Sequence, residues 1–197
     1  MSLIARLTER SWEPASDQHA WPDRPSAGAV GLSVYAAVAM VMFALLAAAY
    51  VMRMGLHRAM GHAGDDWVSM PDPPLLWINT AVLVASSIAW EMARQASKRE
   101  KAVGVSAIAS VLGLCFLTGQ WLMWQHYQAS GFYLSSNPAN AFFYLLTALH
   151  GLHIVGGLVA AGWVLALGSQ RHVRLCALYW HFLLFIWILI AALLVLT

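Results

Sequence analysis

The stretch from Gly28 to Met52, GAVGLSVYAAVAMVMFALLAAAYVM, contains no charged residue. A helix needs about 20 apolar residues to cross a bilayer, so this stretch alone predicts a spanning helix, placed at 29–52 and closed by Arg53. Working outward, the pattern recurs four times. Residues 74–92, 102–127, 139–167 and 175–196 are apolar runs of similar length, and most of the charges fall between them. Residues 1–28 are polar and irregular, with Arg6, Arg10, Arg24, Pro14, Pro22 and Pro25, and they lack the apolar run of a secretory signal. The expected fold is therefore an all-α membrane protein, a bundle of five transmembrane helices behind a polar N-terminal segment.

Composition excludes the main alternatives. Of 197 residues, 60% are hydrophobic and 10% charged, with mean hydropathy +0.64. Soluble domains carry roughly 25% charged residues, and a soluble helix needs a polar face that these runs do not offer. A net charge of +2, without basic runs interleaved with aromatics, gives no nucleic-acid surface. Cys115 and Cys176 both lie in apolar runs and form no metal-ligand spacing.

Orientation follows from Lys and Arg, which are retained on the cytoplasmic side in short loops. The N-terminal segment holds three, the 93–101 connection four and the 168–174 turn two, so one side carries nine of the eleven basic residues. Arg53 and Arg58 lie on the other. Five helices with the N-terminus inside and the C-terminus outside satisfy this split. No internal repeat suggests a transporter of inverted halves.

Ionisable groups inside a membrane are costly and mark function or packing. The spans hold almost no carboxylate, Glu91 near the inner end of the second helix excepted, which argues against a pump acting alone. Three histidines lie in the spans: His150 and His153 on the fourth helix, His181 on the fifth. Imidazole suggests haem or metal ligation. However, His153 is about 22 Å and His181 about 9 Å from the inner end of its helix at 1.5 Å per residue, too uneven for one haem to bridge. Interhelical hydrogen bonding is the better reading, beside the small-residue stripes Gly156–Ala160 and Gly157–Ala161, which are expected to pack closely. Trp121 and Trp124 suit the outer interface, and Trp187, deeper in the fifth helix, is expected to pack.

Residues 142–157, FFYLLTALHGLHIVGG, together with Tyr179-Trp180-His181-Phe182 and Trp187, resemble the two signature helices of subunit III of haem-copper oxidases. Asn79-Thr80 with Ser86-Ser87, Phe116 with Gln120, and Ala49-Tyr50 are similar to further steps of that family. The resemblance runs in order over 29–197 and corresponds to the short, five-helix form. It implies a non-catalytic subunit of a cytochrome c oxidase-type complex in the bacterial cytoplasmic membrane, stabilising the catalytic subunit during aerobic respiration. Haem and copper are then expected in subunits I and II, none in this chain, and bound phospholipid is expected on it. The alternatives are an accessory protein of a nitric oxide reductase and a small membrane cytochrome b. Residues expected to make interhelical, lipid or subunit contacts are His150, His153, His181, Tyr179, Trp180, Asn79 and Gln120, with no catalytic or metal-binding residue. Where the family often carries acids, this chain has Val38, Met123 and Leu184, so no role of those carboxylates transfers.

Overall fold

In a computed structural model, the structure describes residues 26–59, 74–167 and 169–196. The segment 1–25 and residues 60–73, between the first two expected helices, lie outside the described residues. Every regular element among the described residues is a helix: α1 (Ala27–Ala59), α2 (Pro74–Gln95), α3 (Arg99–Ala129), α4 (Pro138–Leu167) and α5 (Gln170–Leu196). All five are long and apolar enough to cross a membrane. At 31 residues α3 is about 46 Å long at 1.5 Å per residue, well beyond a hydrocarbon core of about 30 Å.

The helices overrun the apolar limits read from sequence. Helix α1 continues past Arg53 to Ala59, and α5 begins at Gln170 and takes in most of the expected 168–174 turn. Nothing in backbone hydrogen bonding ends a helix where its side chains become polar, and long basic side chains keep their charge in water from a helix end.

Helices α2 to α5 form a closed up-and-down bundle, each packed on the next and α5 returning to α2. Helix α1 stands outside this ring against α5 and α4 and is the least buried of the five. Short connections enforce the antiparallel order. Only residues 96–98 separate α2 from α3, and Gln170 fastens the start of α5 to that connection, its Nε2 donating to the Ala96 carbonyl at 3.0 Å. At the opposite end the uncharged 130–137 loop is held by its own bonds. Gly131 takes φ +88°, a left-handed conformation that favours glycine. Tyr144 Oη donates to the Phe132 carbonyl at 2.9 Å, Asn140 Nδ2 to Tyr133 at 3.1 Å, and Asn137 Oδ1 accepts from the Ala139 N–H, capping α4.

Two tryptophans of α5 fill the centre. Trp180, fully buried, meets Trp90 of α2 at 5.3 Å between ring centroids. It lies in a slot opened by Gly113 of α3 and Gly157 of α4, where an added Cβ would stand 2.8 and 2.9 Å from the indole. Two turns further along, Trp187 packs edge-on to Phe116 of α3 at 4.8 Å and beside His150 of α4 at 5.2 Å. The expected small-residue packing is thus real at Gly157 and Ala161, both buried. Gly156 instead has open space beside it and lines a surface groove of about 310 Å³ between α1, α4 and α5.

Candidate functional site

Lipid cannot satisfy polar side chains, so those inside the bundle reveal what the fold must hold together. Most of them fall into two clusters, one in each half of the bundle.

Towards the end where α2 and α4 begin, Trp187 Nε1 donates to Thr80 Oγ1 at 2.9 Å, joining α5 to α2. Trp124 Nε1 donates to Thr147 Oγ1 at 3.1 Å, joining α3 to α4. Trp124 therefore turns inward, whereas Trp121 is exposed. Between these links lie Asn79, Gln120 and His150, all buried. Asn79 occupies the space above Gly119, so closely that any Cβ there would overlap its amide. His150 is enclosed by the rings of Phe43, Phe116 and Trp187.

The second cluster faces outward between α2 and α5. Ser87 Oγ and His181 Nδ1 are 2.6 Å apart, and His181 Nε2 lies 3.4 Å from Glu91 Oε2. Glu91 also accepts two bonds from Arg94, at 2.8 and 2.5 Å, and one from Gln95 at 2.6 Å. The side chains of His181 and Glu91 remain 43% and 29% exposed, at a groove of about 300 Å³ that Val84, Ile88 and Leu184 also line. Just behind, Ser86 Oγ donates to the Ala109 carbonyl at 2.7 Å and ties α2 to α3.

The histidines singled out from sequence thus occupy three environments. His181 reaches across helices with its ring. His153 does not: its Nδ1 lies 2.7 Å from the Leu149 carbonyl of its own helix, and because a carbonyl only accepts, that nitrogen carries the proton. The cross-helix bond at this position uses the backbone, with Tyr179 Oη donating to the His153 carbonyl at 2.9 Å. Trp180 contributes packing. Among the described residues, no three His, Cys, Asp or Glu side chains come together as metal ligands. Reading the sequence missed Thr80, Thr147 and Ser86 as partners. Their signal is small hydroxyls on buried faces opposite tryptophans or a bare carbonyl, which one sequence does not reveal.

A profile of the family described as Cytochrome c oxidase subunit III matches residues 29–196. The chain belongs to the cytochrome c oxidase subunit III family. It is 30% identical over 184 residues to the probable cytochrome c oxidase subunit 3 of Mycobacterium leprae (strain TN), covering 84% of this chain and 86% of the relative. Identity to cytochrome c oxidase subunit 3 of Thermostichus vulcanus is also 30% over 184 residues, covering 87% and 88%. The cytochrome bo(3) ubiquinol oxidase subunit 3 of Pseudomonas aeruginosa PAO1 is 28% identical over 169 residues, covering 80% and 79%. The chain is accordingly a multi-pass membrane subunit III of a haem-copper oxidase, and the resemblance carried by 142–157 and 179–187 is the family relationship itself. Of the positions where the family often carries acids, Met123 is sealed in the core, Val38 faces outward on α1, and Leu184 lines the groove beside His181.

Proposed function

We propose that this chain is the non-catalytic third subunit of a bacterial terminal oxidase, standing beside the catalytic subunit in the cytoplasmic membrane and stabilising it during turnover. Haem and copper then belong to subunits I and II, where electron transfer, oxygen reduction and proton pumping take place. The chain itself supplies a stiff helical support whose surface grooves take phospholipid acyl chains. The observation that carries this reading is the family match, which spans nearly all of the helical part of the chain. Two features support it. The bundle centre is filled by Trp180, Trp187, Phe116 and Leu83 rather than built around a cofactor, and the three span histidines point into separate surroundings. Nine of eleven basic residues on one side of the spans support an N-terminus inside and a C-terminus outside.

The test is affinity purification of the tagged full chain from native membranes in mild detergent, with partners identified by mass spectrometry. Recovery with oxidase subunits I and II is the expected result, and the identity of subunit II distinguishes a cytochrome c from a quinol donor. Recovery with nitric oxide reductase subunits, or alone with stoichiometric haem, would overturn the assignment.

A further inference from the structure

The half of the bundle where α2 and α4 begin holds several buried polar atoms without partners. Gln120 is buried with both its amide oxygen and its amide nitrogen unpartnered among the described residues, His150 is fully buried with both ring nitrogens unpartnered, and Asn79 Nδ2 is likewise unpaired. Their register places them on facing sides of neighbouring helices. On α3, Gln120 lies one turn from Trp124, which bonds Thr147, and one turn from Phe116, which packs on His150. It therefore faces the Thr147–His150 turn of α4, since residues four apart share a helix face. On its other side the neighbouring Gly119 receives Asn79 of α2.

We propose that this layer is a binding site for internal water, held by Gln120, His150 and Asn79. The chemistry selects a small neutral ligand that both donates and accepts. Gln120 offers one donor group and one acceptor, neutral His150 one of each, and Asn79 a donor. None of the three carries the fixed charge an ion would need. Phe43, Phe116 and Trp187 pack around His150, with ring centroids 6.4, 5.8 and 5.2 Å away. Buried waters typically make about three bonds to otherwise unsatisfied groups, and occur about once per 27 residues. The other unpaired buried atoms, Trp90 Nε1, Trp180 Nε1, Ser106 Oγ and Asn140 Oδ1, are single groups and do not assemble a site. Hydration would add a bridge between α2, α3 and α4 beside the direct Trp124–Thr147 bond.

The experiment is a high-resolution structure of the full chain in its native complex or in lipid, paired with the thermal unfolding of Gln120→Met. The expected structure has a solvent density maximum within about 3.2 Å of Gln120 and of either His150 or Asn79. The expected variant unfolds about 3 °C lower, because the apolar side chain breaks the hydrated network. An amide bonded directly to the imidazole with no density between them would overturn the proposal. So would a Gln120→Met protein that unfolds higher, since that shows a dry layer relieved of unpaired groups.

Discussion

The two polar clusters of this bundle solve the same problem in opposite ways. In the half of the bundle where α2 and α4 begin, Asn79, Gln120 and His150 are buried, His150 behind aromatic rings, and have no charged partner. In the cluster between α2 and α5, Glu91, Arg94, Gln95 and His181 bond one another and stand partly exposed, with buried Ser87 bonded to His181 behind them. The difference is one of where the cost is met. Near a helix end, long side chains reach towards water and pair there, so charge is tolerated. At depth, only neutral groups enclosed by protein persist. The stability of the bundle should therefore reside in the sealed layer and its aromatic walls, with little of it in the ion pair that the eye finds first.

Substitutions in the two clusters should differ widely in effect. Trp187→Ala removes the fully buried side chain that joins Phe116, His150 and Thr80, and should cost about 3 kcal/mol or more in denaturant unfolding in mild detergent. A loss under about 1 kcal/mol would show that the aromatic walls are not the stabilising centre. Gly119→Val forces side-chain atoms into the space of the Asn79 amide and should cost about 2 kcal/mol. The double variant with Asn79→Ala should recover part of that loss, because the two positions share one space; strict additivity would deny the contact. Ser86→Ala deletes a single bond to the Ala109 carbonyl, for which about 0.6 kcal/mol is typical in membrane bundles. Smallest is Glu91→Gln, which should leave the unfolding midpoint unchanged in a thermal scan. A fall matching Trp187→Ala would reverse the ranking of the two clusters.

What the sequence disclosed follows the strength of each physical signal. Five spans were legible because twenty-odd uncharged residues in a row admit few other readings, as at Gly28–Met52. Helix ends were not, because α5 continues through Arg171 and Arg174 with its backbone bonds unbroken. The family was legible at 142–157 and 179–187, where several uncommon residues recur at fixed spacing. Side-chain partners were not. His153 bonds its own helix while Tyr179 uses the backbone beside it, and no spacing rule distinguishes that from a ring-to-ring bond. The Trp187–Thr80 bond joins residues 107 positions apart, a pairing that exists only once α5 has returned to α2. Gly156 and Gly157 illustrate the same limit, since these neighbours head two stripes, one beside open space and the other against Trp180.

As proposed above, this chain supports an oxidase without taking part in its electron transfer. The most direct measurement compares oxygen consumption by the native complex with that of the complex prepared from a strain lacking the chain, alongside the haem spectra of both. The account predicts unchanged haem content, a similar initial rate, and a rate that decays after fewer turnovers when the chain is absent. Loss of a haem band, or an initial rate that vanishes with the chain, would contradict it.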